Sequence, residues 1–155
     1  MADYSFVTVW KLKAPLKDVW NLILDSKSWP DWWKEVKSVN EIHPGDDFRV
    51  GNTSDLTWRS ILPYTLHFRA TVVKVIPMEY MEGLASGDLA GNGRWYFSHA
   101  NGITQVRYEW DVSTTKAWMN LLTPLFRLLF KWNHDIVMRR GGEGMAKKLG
   151  TELIP

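Results

Sequence analysis

The sequence has 155 residues, the size of one compact domain, and it contains no cysteine. Without cysteine, a disulfide scaffold, a thiolate nucleophile and cysteine-ligated zinc are excluded. Lys and Arg number 19 against 17 for Asp and Glu, so the net charge of +2 gives no indication of nucleic-acid binding. Residues 1–15 show no secretory signal. The most apolar stretch, 118–132, is too short to cross a bilayer and is interrupted by Asn120, Pro124, Arg127 and Lys131. We therefore expect a single cytoplasmic domain over residues 1–155.

The first third of the chain predicts one strand followed by two short helices. Residues 4–12 are rich in β-branched and aromatic side chains, which is typical of a strand. Pro15 suits a first helical turn. The next apolar residues have the spacing of a buried helical face: Leu16, Val19, Trp20 and Ile23. A second short helix is expected to carry Trp29, Trp32, Trp33 and Val36.

The middle of the chain predicts a series of antiparallel strands. The expected strands cover residues 39–43, 48–53, 55–62, 64–76, 79–86, 94–99 and 103–113. The sequence does not decide whether 48–53 and 55–62 are two strands or one bent strand. Turns containing glycine are expected at residues 87–88, 91–93 and 101–102. In the last strand, apolar and charged residues alternate, so one face is expected to meet an apolar interior.

That inner face would carry a set of aromatic side chains: Trp58, Phe68, Trp95, Phe97, Tyr108 and Trp110. Each of them could be core packing or could border a cavity, and composition does not decide between the two. Tyr108 is the most informative of these residues for deciding between core and cavity, because a buried hydroxyl needs a hydrogen-bond partner.

The last third predicts a long helix over residues 123–149. On a helical wheel, one face is apolar and holds Phe126, Leu129, Phe130, Ile136 and Val137. His134 is expected on the polar side. Asn133 and Arg140 fall on or beside the apolar face, where unpaired polar groups are costly. Either they are satisfied internally, with Arg140 paired to an acid such as Glu82, or they face a cavity and meet the polar end of a ligand.

Motifs for metal or cofactor chemistry are not found in the sequence. The four histidines, His43, His67, His99 and His134, lie on separate predicted elements without metal-ligand spacing. The glycine-rich segment 87–93 joins two strands rather than opening a helix, so it does not indicate a phosphate loop. We therefore expect no metal site and no cofactor.

The order of elements resembles a known superfamily. Three segments carry the resemblance: "APLKDVWNLILDSKSWPDWW" (14–33), "GLASGDLAGNGRWYF" followed by "TQVRYEWDV" (83–97 and 104–112), and the long helix "TPLFRLLFKWNHDIVMRRGGEGMAKKL" (123–149). The chain is similar to the START/SRPBCC helix-grip superfamily, and within it to the bacterial polyketide cyclase/dehydrase and lipid-transport-like group. The resemblance implies an α+β fold in which a curved seven-stranded antiparallel sheet wraps around the long C-terminal helix. Two short helices would follow the first strand, and a deep cavity would lie between sheet and helix.

Three functions are compatible with this expectation. The first is binding of a hydrophobic or amphipathic small molecule such as a lipid, an isoprenoid or a polyketide, by a monomer or homodimer. The cavity residues expected to bind it are Trp58, Phe68, Glu82, Trp95, Tyr108, Trp110, Phe126, Phe130, Asn133, Val137 and Arg140. The second is a polyketide cyclase, aromatase or dehydratase, in which Tyr108 or an inward-facing Glu82 would move a proton and Arg140 would hold an enolate or carboxylate. The third is a protein- or membrane-interaction module that uses the apolar run 125–130.

Overall fold

The computed structural model describes residues 2–62, 64–121 and 123–155. Its strands are β1 (Ala2–Leu12), β2 (Val36–His43), β3 (Thr53–Arg59), β4 (Thr65–Ile76), β5 (Tyr80–Gly87), β6 (Leu89–Ala100) and β7 (Ile103–Thr114). Its α-helices are α1 (Leu16–Leu24), α2 (Trp29–Trp32), α3 (Ala117–Leu121) and α4 (Thr123–Lys148), and a 3-10 turn spans Ser26–Ser28.

The seven strands form one antiparallel sheet in the order β1-β7-β6-β5-β4-β3-β2. Consecutive strands from β2 to β7 are neighbours, and β1 closes the series by pairing with β7 along its whole length. Register shifts within β2 and β4 interrupt the ladders, and such irregularities bend a strand. The predicted α+β class, with a seven-stranded sheet and a long C-terminal helix, is confirmed.

Helix α4 packs on the inner face of the sheet through aromatic side chains. The ring of Phe130 lies 4.6 Å from that of Tyr4 and 5.8 Å from that of Phe6, both on β1. One turn beyond the middle of the helix, Trp10 donates its indole N–H to the carbonyl of Met138 at 3.0 Å. Aromatic side chains bury large apolar surfaces, and their polar edges usually find a partner. These contacts fix the position of α4 along β1.

The glycines near the end of α4 allow tryptophan rings to approach the helix backbone. A Cβ atom at Gly141 would lie 2.3 Å from the ring of Trp33, and one at Gly142 would lie 2.8 Å from the ring of Trp10. At Gly144 the obstacle is the backbone carbonyl oxygen of Trp32, 1.8 Å away. The glycines therefore serve close packing against α2 and β1.

Two details of the predicted strands are wrong. Residues 48–52 form a loop and β3 begins only at Thr53, because the carboxylate of Asp46 accepts the backbone N–H groups of Phe48 and Val50 and holds a turn. Residues 91–93 lie inside β6 instead of forming a turn. There Gly91 permits close approach to β7, since a Cβ would lie 2.0 Å from the carbonyl oxygen of Asp111.

The second predicted helix is shorter than expected. It ends at Trp32, and Val36 is the first residue of β2. The backbone carbonyl of Glu35 accepts the N–H of Arg59 at 3.0 Å, which brings the chain into the sheet directly after the helix.

Candidate functional site

A cavity of about 150 Å³ lies between the inner face of the sheet and helix α4. The aromatic alternation predicted for β4 and β7 points into it, as expected. Most of the predicted site residues line it: Trp58, Phe68, Trp95, Tyr108, Trp110, Phe130, Asn133 and Val137. The structure thus brings these side chains together around one space, and their part in binding stays a prediction.

Glu82 is on the opposite side of the sheet. Its neighbours Met81 and Gly83 line the cavity, so strand alternation turns the Glu82 side chain outward. There its carboxylate accepts hydrogen bonds from the hydroxyl of Tyr80 at 2.5 Å and the amide of Asn92 at 2.6 Å. These hydrogen bonds lower the pKa of Glu82. The prediction that Glu82 orients a ligand or moves a proton in the cavity is therefore wrong.

Phe126 is buried but does not line the cavity. Its ring packs 5.4 Å from Phe130 and 5.9 Å from Tyr64, one helical turn before the cavity begins. Its side chain belongs to a hydrophobic cluster with Tyr4, Phe6 and Leu66. The placement of Phe126 at the cavity wall is a wrong prediction, because α4 reaches the cavity only one turn later, at Phe130.

Arg140 does not line the cavity either, but it contacts a residue that does. Its Nη1 lies 2.9 Å from Oε2 of Glu35, and its side chain is partly exposed. The interpretation in which Arg140 pairs with an acid is the one that the geometry supports, with Glu35 in place of Glu82. Glu35 itself is only 2% exposed.

His134 lies inside the protein instead of on the polar side of α4. Its ring stacks 4.0 Å from that of Phe6 and 5.3 Å from that of Trp110, and it lines the cavity. Burial lowers the pKa of His134 to about 4, so its imidazole is neutral at neutral pH. Oδ1 of Asp135 is 4.0 Å from Nδ1, and neither ring nitrogen has a hydrogen-bond partner in the described part of the chain.

Asn133 reaches the cavity from the adjacent position on α4. Its Nδ2 donates a long hydrogen bond of 3.4 Å to the hydroxyl of Tyr64, and its Oδ1 has no partner among residues 2–62, 64–121 and 123–155. Burial raises the pKa of Tyr64 to about 12, so this phenol stays protonated. Asn133 therefore presents an acceptor at the cavity wall.

Tyr108 forms part of the cavity wall on β7. Its ring stacks 4.0 Å from that of Trp95, and its hydroxyl lies over Gly93, where a Cβ atom would be 2.7 Å away. Gly93 thus makes the room that the phenol occupies. Burial raises the pKa of Tyr108, which keeps the hydroxyl protonated and able to donate.

The cavity wall contains buried polar atoms without a protein partner. Across the described residues, these atoms belong to five lining side chains: Glu35, Trp58, Ser60, Asn133 and His134. Buried polar atoms are normally hydrogen-bonded, so a wall with several unpaired ones is suited to a ligand that has polar groups. Sequence patterns indicated Trp58 and Asn133 but missed Glu35, Ser60 and His134. For Glu35 the sequence held one signal of burial, namely an acidic residue directly before Val36 and two residues after Trp33.

A second apolar surface lies on the outside of the molecule. Five large side chains on α3 and the first half of α4 are exposed: Leu121, Leu125, Leu128, Leu129 and Trp132. The predicted apolar face of α4 is therefore divided, since Leu129 faces outward while Phe130 and Val137 face inward. Among the described residues, no helix is long and apolar enough to cross a membrane.

The fold of this chain is similar to those of several solved structures. Its fold is similar to that of the Zhui aromatase/cyclase from Streptomyces sp. R1128, with a TM-score of 0.79, 12% identity, and coverage of 96% of this chain and 94% of that one. A START superfamily protein from Mycobacterium smegmatis gives a TM-score of 0.73 at 15% identity, covering 94% and 98% of the two chains. A protein from Thermus thermophilus, TTHA0849, gives 0.74 at 17% identity, covering 92% and 97%.

The likeness to these structures shows the helix-grip fold, since all three identities are low. No curated protein sequence matches the chain significantly. The sequence itself supplies the family: residues 12–138 match the family described as polyketide cyclase / dehydrase and lipid transport. Both descriptions in that name fit an apolar cavity under a long helix. The chain belongs to the polyketide cyclase/dehydrase and lipid transport family.

Proposed function

We propose that the protein binds a hydrophobic or amphipathic small molecule in the cavity between the sheet and α4. One observation carries the proposal: an aromatic-lined cavity has several buried polar atoms in its wall that no described residue satisfies. Apolar walls with a few convergent polar groups are the usual composition of small-molecule sites. The apolar part of the ligand supplies affinity, and the polar atoms orient it.

The size of the cavity limits the ligand. A cavity of about 150 Å³ is the size at which an engineered protein cavity accepts benzene. Pockets for larger ligands have volumes of roughly 300–1,000 Å³. In this conformation the protein accommodates one ring or a short chain of a lipid, isoprenoid or polyketide-like molecule. A longer ligand requires the side chains of the wall to move.

A titration with a one-ring probe tests binding. We expect one molecule of 4-propylphenol per chain with a Kd near or below about 1 mM by calorimetry, because burying its apolar surface outweighs the cost of association. Ala70→Leu, on the inner face of β4, should fill the space and abolish the heat. Ala100→Leu changes an exposed residue at the end of β6. It is the matched control, and this variant should bind 4-propylphenol as tightly as the native protein does. Absence of binding to the native protein would refute the proposal.

A cyclase-type reaction in the same cavity is the second candidate, and a specific observation favours it. His134 is buried at the cavity with a pKa of about 4 and with neither ring nitrogen hydrogen-bonded to a described residue. A nitrogen lone pair of the neutral imidazole can accept a hydrogen bond from an enol O–H group and orient it, and the Tyr108 hydroxyl can donate to the developing enolate oxygen. An intramolecular aldol condensation of this kind forms one carbon–carbon bond and releases water.

Turnover separates the two candidates. The protein is incubated with a short poly-β-ketone thioester, and mass spectrometry follows the loss of one water per molecule. An enzyme should accelerate this loss, and His134→Phe should remove the acceleration while leaving the binding of propylbenzene intact. A rate equal to the uncatalysed reaction, together with measurable binding of the thioester, would leave binding as the function and refute the enzymatic candidate.

A further inference from the structure

Glu35 is the most unusual polar residue of the cavity wall. It is 2% exposed and lines the cavity, and it stands between the tryptophans of α2 and the first residue of β2. Its backbone carbonyl accepts the N–H of Arg59, so the main chain at this residue is fixed to the start of the β3–β4 turn. The side chain is therefore held at one edge of the cavity by secondary structure.

The ion pair of Glu35 uses only one of its two carboxylate oxygens. Nη1 of Arg140 lies 2.9 Å from Oε2, whereas Oε1 is buried without a hydrogen-bond partner in the described part of the chain. Arginine and carboxylate commonly pair through two parallel hydrogen bonds. Here the pairing is single, and Oε1 remains an acceptor without a described partner on a side chain that lines the cavity.

Three charged side chains lie at this edge of the cavity: Glu35, Arg140, which pairs with it, and Arg59, whose guanidinium donates an exposed hydrogen bond of 3.1 Å to the hydroxyl of Thr65. Arg140 balances the charge of Glu35, so an additional ligand charge is not required. A buried carboxylate oxygen accepts hydrogen bonds and cannot donate them. A ligand group that approaches Oε1 must therefore be a donor, and a second anion would be repelled.

We propose that Glu35 determines ligand specificity: its Oε1 accepts a hydrogen bond from an O–H or N–H group of a neutral aromatic or enolic ligand. This inference rests on the proposed binding function and narrows it to neutral ligands that carry a donor. Arg140 is a positioning residue, because it holds Oε2 and leaves Oε1 for the ligand. The indole N–H of Trp58, also unpaired at the wall, supplies a donor to the ligand oxygen from the neighbouring strand.

Three matched probes test the inference on the native protein. They are 4-propylphenol, its methyl ether 4-propylanisole, and the anion 4-propylbenzoate, all titrated at pH 7 by calorimetry. We expect the phenol to bind at least about tenfold more tightly than the ether, since only the phenol donates to Oε1, and the benzoate to show no binding. Equal affinities for phenol and ether, or benzoate binding as tight as that of the phenol, would overturn the inference while leaving cavity binding intact.

The substitution Glu35→Gln tests the residue itself. The guanidinium of Arg140 only donates hydrogen bonds, so it retains the amide oxygen of the glutamine and directs the NH₂ group to the place of Oε1. The substitution replaces the acceptor Oε1 with a donor NH₂ group. We therefore expect the phenol and the ether to bind with about equal affinity. Glu82→Gln, on the outer face of the sheet, is the matched control and should keep the preference.

The ratio of the two affinities distinguishes recognition from a structural role. If Glu35 only supports the fold, Glu35→Gln lowers the thermal midpoint and weakens both probes equally, and an unchanged ratio overturns the inference. If the variant does not fold, the three native titrations decide. If none of the probes binds to the native protein, the proposed function and this inference both fail.

Discussion

Two parts of helix α4 meet the same sheet in different ways. Near its end, Gly141, Gly142 and Gly144 pack directly against Trp33, Trp10 and the backbone of Trp32. The indole N–H groups there are satisfied, for example Trp33 Nε1 by the carbonyl of Val137 at 2.9 Å. In the middle of the helix, Asn133 and His134 are as well buried, but atoms of both side chains lack partners in the described part of the chain.

The difference separates the part of the helix that stabilises the fold from the part that serves a site. Close packing with satisfied polar groups contributes to the free energy of unfolding. Buried polar atoms without partners lower the free energy of unfolding. They are expected mainly at functional sites, where a ligand can pair with them. Substitutions in the two parts of α4 should therefore affect different properties of the protein.

The largest effect is expected at the packed end. Helix propensity alone predicts that Gly144→Ala stabilises α4 by about 1 kcal/mol. The new Cβ, however, would lie 1.8 Å from the carbonyl oxygen of Trp32, and backbone cannot yield as a flexible side chain does. We expect a net loss of about 2–3 kcal/mol in the free energy of unfolding, measured by urea denaturation. Lys147→Ala, at an exposed position of the same helix, is the control, and a stabilised Gly144→Ala protein would contradict the packing described.

The next effect concerns the pH dependence of stability. The pKa of His134 is about 4 in the folded protein against 6.5 for the free side chain, so the unfolded state binds a proton first as the pH falls. The stability that depends on neutral His134 is present above pH 6.5 and is lost between pH 6.5 and 4. From pH 7 to pH 5 the loss is about 2 kcal/mol.

Urea denaturation at both pH values measures this loss. We compare the native protein with His134→Phe, which has no titrating group at this position. The variant should lose about 2 kcal/mol less between pH 7 and pH 5. Equal losses in the two proteins would show that His134 is not buried as a neutral imidazole.

A smaller effect is expected at the deep wall of the cavity. Tyr108→Phe removes a hydroxyl that can donate to a ligand carbonyl, worth about 1 kcal/mol or about fivefold in affinity. Acetophenone should bind about fivefold more weakly to the variant, whereas propylbenzene, which has no acceptor, should bind equally to both proteins. A uniform loss for both probes would indicate altered packing against Trp95 and not a lost hydrogen bond.

The smallest effect is expected on the exposed face of α4. Leu125 and Leu128 are 64% and 72% exposed, so Leu125→Gln and Leu128→Gln should change the free energy of unfolding by less than about 0.5 kcal/mol. Gel filtration with light scattering and flotation with liposomes test the role of the same side chains. If the native protein is a monomer that does not float, the interpretation of this face as an interaction surface fails.

Much of the fold was predictable because its signals are local. Alternation along β4 and β7, proline before α1 and the apolar spacing of α4 each depend on neighbouring residues. The register of Gly91 and Gly93 was not predictable, because glycine serves equally in a turn and in a close strand approach. What decides is the position of Asp111 and Tyr108 on the next strand, which only the folded chain reveals.

The cavity residues show the same limit. Strand alternation identified Trp58, Phe68 and Tyr108, since a period of two residues assigns faces reliably once the interior is known. The orientation of Glu82 depended on the register of β5, which has few strongly apolar side chains. His134 and Glu35 were missed because polar residues at an apolar boundary are expected outside, and their burial follows from tertiary contacts with Phe6 and Arg140.

The indole region of a proton–nitrogen NMR spectrum tests the central claim most directly. Titration of the protein with 4-propylphenol should shift the side-chain N–H signals of Trp58, Trp95 and Trp110, which line the cavity. The signals of Trp20, buried away from the cavity, and of Trp132, on the exposed face, should stay unchanged. Shifts confined to Trp132, with the three cavity signals unmoved at saturation, would contradict the account.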